Sequence, residues 1–237
     1  MTATQTIAAQ PPFKPFEKWV WNVPTHFNIG VACTDAHLGT QVESAIAMIV
    51  EDDTLGTSEI TFGGLAKRTS QFAQLLKNIG MQAGERVLIR LPNSLDYPTA
   101  FLGAMKVGAI SVPTSTLLTA EEVAYLAKDS SAKVLVTDKA AWQSLREPLQ
   151  GLAHLTHILL TGEGECLPAE GLQVLDLESA LSEIDQWDAP HQTKSDDPAY
   201  LVYTSGTTGY PKGVLHAHRS MIGREPASKY WFDFTRN

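Results

Sequence analysis

Blocks rich in Val, Leu and Ile recur along this chain at residues 86–91 (RVLIRL), 109–112, 133–137 (KVLVT), 157–160 and 199–203. Their apolar runs are too continuous for strands with one wet face, so they read as strands buried on both sides. A further short apolar run at 45–50 reads as a strand, and 54–58 as a turn. The segments between follow a different period. Leu65, Phe72, Leu75, Leu76 and Ile79 return at helical spacing as one stripe, and Gly80 is placed to end that helix. Residues 97–107 read as a helix closed by Gly108. Thr119 is an N-cap residue followed by Glu121 and Glu122, which predicts a helix to about Asp129. Residues 139–149 predict another. Tyr97, Phe101 and the 65–79 stripe belong to the core. The alternation predicts an α/β fold, a mostly parallel sheet flanked by helices, joined by right-handed crossovers.

The remaining stretches are polar. Residues 1–15 carry prolines and read as a mobile tail, and Trp19, Trp21 and Phe27 suggest a segment laid against the body. Residues 161–171 are rich in Gly and acidic side chains and predict a surface loop, while 183–198 form a connector. No internal repeat or low-complexity tract is present in the sequence.

Composition narrows the function classes. The 237 residues are 43% hydrophobic and 19% charged, the balance of a soluble globular protein with ample core. A net charge of −8 and no Lys/Arg run argue against a nucleic-acid partner or a membrane patch. Cys33 and Cys166 lack a CxxC setting and read as ordinary thiols in a reducing compartment. The first ten residues lack a secretory pattern, and no apolar run approaches the roughly 20 residues of a membrane span. A cytoplasmic protein is expected.

One loop runs against the acidic whole. Tyr203-Thr204-Ser205-Gly206-Thr207-Thr208-Gly209-Tyr210-Pro211-Lys212-Gly213-Val214 gathers hydroxyls, glycines and a lysine directly after an apolar run. Glycines let backbone N–H groups approach an anion, hydroxyls add donors, and lysine supplies a compact positive charge. The P-loop pattern G-x-x-x-x-G-K-[ST] does not fit, because Lys212 follows Pro211 and precedes Gly213. His216 and His218 could face one way on a strand, but no third ligand is near in sequence, so they read as a strand end and a helix start. Asp196 and Asp197, just before Pro198, read as turn formers.

The string YTSGTTGYPKGV resembles the signature of the adenylate-forming (AMP-binding) superfamily, which includes acyl-CoA synthetases, luciferases and peptide-synthetase adenylation domains. Residues 105–113 (MKVGAISVP) resemble its K-x-G-A-x-x-V-P segment. Ile60-Thr61-Phe62 with Gly84-Glu85-Arg86-Val87 resembles its early T-[YF]…G-D-R-V segment. Phe27-Asn28-Ile29 and residues 215–220 (LHAHRS) look closest to acyl-CoA synthetases of the medium-chain and benzoate type.

The resemblance implies a reaction in two halves. ATP and a carboxylic acid give an acyl-adenylate and pyrophosphate, and a thiol, usually coenzyme A, then displaces AMP. It implies that Thr204, Ser205, Gly206, Thr207, Thr208, Gly209 and Lys212 bind the β- and γ-phosphates. It further implies that Thr207 is the hydroxyl nearest Mg²⁺ and that Lys212 is the catalytic charge partner rather than a nucleophile. The family's adenine, ribose and C-terminal lysine segments find no match before Asn237, so the expectation is an incomplete N-terminal domain that is inactive alone. Its expected divisions are a tail and packing segment over 1–26, a first α/β subdomain over 27–190, and the start of a second over 191–237. The strand at 199–203 is then expected to lack sheet neighbours and expose an edge. An adenylation module acylating a carrier protein and a non-catalytic remnant stay open as alternatives.

Overall fold

The computed structural model describes residues 19–52, 56–204 and 209–232. A short helix, α1 (Ile29–Cys33), opens on Asn28, whose side chain accepts a hydrogen bond from the Val31 amide. The strands β1 (Ile46–Asp52) and β2 (Gly56–Thr61) pair antiparallel as a separate ribbon. Thr57 and Ser58, expected in a turn, therefore lie in a strand, while Thr54 is outside the described residues. Thr61 caps α2 (Phe62–Asn78) by accepting from the Gly64 amide, and Gly80, at φ +78°, supplies the left-handed exit. The predicted alternation then follows: β3 (Arg86–Arg90), α3 (Asp96–Lys106), β4 (Ile110–Pro113), α4 (Ala120–Asp129), β5 (Ala132–Asp138), α5 (Lys139–Leu149) and β6 (His157–Thr161). A second strand–helix pair, β7 (Gln173–Asp176) and α6 (Leu177–Ser182), lies inside what the sequence left unassigned. The chain ends its described course with the hairpin β8 (Pro198–Thr204) and β9 (Lys212–Ala217), then α7 (Glu225–Tyr230).

Seven strands form one sheet in the order β7-β6-β5-β3-β4-β8-β9, parallel throughout except for the β8–β9 pair. Alternate side chains of the central strands feed two cores. Val87, Ile89, Val134 and Val136 meet Phe72, Leu76, Ala104 and Leu181 from α2, α3 and α6. Leu88 and Leu135 meet Val123, Leu126, Trp142 and Leu145 from α4 and α5 on the other face. This is the expected α/β architecture, and Tyr97 and Phe101 pack against its core.

The expectation for the strand at 199–203 is corrected. β8 has neighbours on both sides, β4 in parallel through Ser111 and Tyr200 and β9 in antiparallel register. The reason is the connector from α6, which carries the chain from the β7 edge back to β4. It is tied on the way by the His191 amide to the Lys106 carbonyl at 2.7 Å and the Phe27 amide to the Thr193 carbonyl at 3.1 Å. The edge on this side of the sheet is β9, where Val214 and Leu215 are exposed. Trp19 lies edge-on to Trp21 and to Tyr230 of α7, with ring centroids 5.7 and 6.0 Å apart. None of the described helices is long and apolar enough to cross a membrane.

Candidate functional site

The phosphate-loop sequence occupies the turn of the β8–β9 hairpin. The ladder brings Tyr203 opposite Gly213 and Thr204 opposite Lys212, with the Thr204 hydroxyl 3.5 Å from the Lys212 carbonyl. The described ends of the loop are thus closed on each other by strand pairing. Thr204, Gly209 and Lys212 are all exposed. Gly209 adopts φ +124°, a backbone region essentially restricted to glycine. A Cβ on Gly213 would come within 2.9 Å of the end of the Leu201 side chain, which would have to shift to admit it. Ser205, Gly206, Thr207 and Thr208 lie outside the described residues, including the expected magnesium-side hydroxyl of Thr207.

The hairpin turn sits beside a cavity of about 630 Å³, within the size range of small-ligand pockets. Pro113, Thr114 and Ser115 at the carboxyl end of β4 form one wall, and Tyr203, Gly209, Tyr210 and Pro211 another. The topology explains the place. α3 leaves β3 over one face of the sheet and α4 leaves β4 over the opposite face, so the crossovers diverge between β3 and β4. In open α/β sheets a crevice forms outside the carboxyl ends of strands at such a point. The Arg90 guanidinium donates to the carbonyls of Thr116 and Leu118, which shapes the loop leading from β4 to α4.

Charge is distributed unevenly around the cavity. Glu121 and Glu122, in the first turn of α4, line one side. Glu122 is engaged in a capping box, accepting from the Thr119 amide at 2.8 Å. Lys212 follows Pro211 of the cavity wall in the chain, and among the described residues no carboxylate pairs with it. The Tyr203 hydroxyl donates to Asp129 at 2.6 Å, and burial first, then that carboxylate, raise its pKa above the usual phenol range.

The sequence profile of the AMP-binding enzyme family matches residues 38–233. This chain belongs to that family. It is 34% identical over 161 residues to the 4-hydroxybenzoate–CoA/benzoate–CoA ligase of Rhodopseudomonas palustris, covering 68% of this chain and 29% of that protein. It is 29% identical over 230 residues to the acetyl-coenzyme A synthetase of Psychromonas ingrahamii, covering 90% and 35%. Among solved structures, an anthranilate CoA ligase in complex with anthranoyl-AMP superposes with a TM-score of 0.72 at 30% identity, over 85% of this chain and 37% of that one. A Brucella canis acyl-CoA synthetase does so with a TM-score of 0.75 at 26% identity, over 88% and 36%. The chain therefore spans about a third of the length of the relatives it matches, which are acyl-CoA and benzoate–CoA ligases.

In this family member the other residues singled out from sequence take structural places. His216 ends β9 with its ring stacked on Tyr200, centroids 4.5 Å apart. His218 starts a 3-10 turn, is fully buried, and accepts the Ile29 amide on Nδ1 at 3.0 Å. The pair reads as strand end and helix start, as expected. The bond to Ile29 also joins the strings 27–29 and 215–220, which resembled the same branch of the family from opposite ends of the chain. Asp197 closes a turn by accepting the Lys194 amide at 2.7 Å, and Asp196 pairs with Arg219 at 2.9 Å. Tyr125 and Asp129 carry no signal in the sequence beyond their i, i+4 spacing on one helix face.

Proposed function

We propose that this chain carries the phosphate-binding part of an ATP-dependent acid–thiol ligase, which activates a small carboxylic acid as its adenylate and transfers the acyl group to coenzyme A in the cytoplasm. The observation that carries this reading is the closure of the signature loop by the Thr204–Lys212 pair beside the crevice at the carboxyl end of β4. Thr204, Ser205, Gly206, Thr207, Thr208, Gly209 and Lys212 hold the β- and γ-phosphates, with Thr207 on the magnesium side. When bound, Mg²⁺ supplies neutralisation of charge on the phosphate oxygens. Lys212 places a positive charge where negative charge builds on the departing pyrophosphate. Such preorganised stabilisation is commonly the largest contribution in a step of this kind. The names of the relatives favour coenzyme A over a carrier protein as acceptor.

Calorimetric titration of Mg-ATP into the 237-residue chain and into Lys212→Ala tests the reading. Losing one charge-assisted contact should weaken affinity roughly ten- to hundredfold. Equal affinity in the two proteins, or none in either, would overturn it.

A further inference from the structure

On α4, Tyr125 and Asp129 stand one turn apart, and each reaches a different limb of the β8–β9 hairpin. Asp129 accepts the hydroxyl of Tyr203, the residue that precedes Thr204. The Tyr125 ring lies over Tyr210, with centroids 4.8 Å apart and planes 21° from parallel. Its hydroxyl donates to the Pro211 carbonyl at 3.4 Å. Tyr210 and Pro211 fill the interval between the φ-permissive Gly209 and Lys212. Both links therefore end within one or two residues of Thr204 or Lys212.

The chemistry of the outgoing limb makes such a link useful. Gly209 adds backbone freedom, and Pro211 has no N–H to give to a ladder. Lysine carries its charge on a long flexible stem, so its contribution depends on how firmly its backbone is placed. Tyr210 is exposed, so the core does not require an aromatic ring there. Its ring meets Tyr125 instead.

We propose that Tyr125 is a positioning residue for the phosphate loop: through Tyr210 and Pro211 it fixes the outgoing limb so that Lys212 stays opposite Thr204, while Asp129 fixes the incoming limb through Tyr203. The proposal rests on the loop being the triphosphate site. Tyr125 touches no phosphate in this account. It acts through the backbone that carries Lys212.

The test compares wild type, Lys212→Ala, Tyr125→Leu, Tyr125→Phe and Tyr210→Ala in the full 237-residue chain. Mg-ATP affinity, the urea midpoint and amide hydrogen exchange without nucleotide are measured for each. Removing either ring should weaken Mg-ATP binding about three- to tenfold, the range of an aromatic pair. Combining Tyr125→Leu with Tyr210→Ala should weaken it no further than one change alone, since both remove the same contact. Tyr125→Phe, which keeps the ring, should retain most of the affinity. Exchange should rise over residues 209–214 in Tyr125→Leu and stay unchanged in β5 and β6. Wild-type affinity and wild-type exchange in Tyr125→Leu would overturn the proposal. So would exchange rising evenly over the whole sheet with a lowered urea midpoint, which marks Tyr125 as ordinary packing. If wild type binds no Mg-ATP, the loop reading fails instead, and the exchange pattern over 209–214 decides whether the link to α4 exists.

Discussion

The two halves of the seven-stranded sheet differ in almost every physical respect. In β3, β5 and β6 the central residues Val87, Leu88, Val134, Leu135, Val136, Ile158 and Leu159 are fully buried between helices on both faces. At the other end, β9 exposes Val214 and Leu215, and the described ends of its turn are exposed. The same backbone ladder runs through both. Stability is concentrated where side chains are sealed, while the loop proposed to bind anions sits where the sheet opens. A loop that must admit a ligand cannot be closed over by the core, and a rigid sheet supplies the frame that holds its ends.

The strongest way to probe this contrast is to damage the sealed end. Trp142 is fully buried and donates its indole N–H to the Leu167 carbonyl at 2.7 Å. Trp142→Ala is expected to destabilise the chain by about 3–5 kcal/mol in urea unfolding, from cavity formation and the lost donor. Loss of less than about 1 kcal/mol would mean that the sealed core is not the main source of stability.

A smaller effect is expected at His218, which ties the open end to α1. Burial pushes its imidazole down to about 4, with Asp197 opposing and His191 adding to that shift. The unfolded value is near 6.5, so the unfolded chain binds more protons between about 4 and 6.5. Stability should therefore fall as pH drops through that window, by on the order of 3 kcal/mol. Protonation of Nδ1 would also remove the acceptor for the Ile29 amide. Urea unfolding of wild type and His218→Gln at pH 7 and pH 4.5 isolates this contribution, and equal pH slopes in the two proteins would refute it. The smallest effect belongs to the β9 face. Leu215→Lys should change stability by no more than about 0.5 kcal/mol while reducing self-association in light scattering.

Much of the sheet was legible because its signals are local. The apolar blocks at 86–91, 133–137 and 157–160, the Thr119 cap and the glycines at 80 and 108 each announce an element within a few residues. β7 and α6 were not, for the same reason in reverse. Gln173 is exposed and its strand has four residues, too few for a period to emerge, and α6 is signalled only by the Asp176 cap on the Ser179 amide. The flanking of β8 by β4 rests on a pairing between Ser111 and Tyr200, far apart in the chain. No local pattern encodes it. The loop itself stood out by composition, but its supports on α4 did not, because Tyr125 and Asp129 meet Tyr210 and Tyr203 only after the chain has crossed the sheet.

The Thr204–Lys212 pairing has an entropic consequence. The ladder already holds Thr204 and Lys212 together, the two residues that flank the seven-residue stretch 205–211. A ligand bound between these flanks need not first bring distant chain segments into proximity, so more of its contact energy remains as affinity. Because closure entropy grows only slowly with ring size, about 0.6 kcal/mol per doubling, an insertion here would leave the fold intact and dilute the local concentration of donors instead.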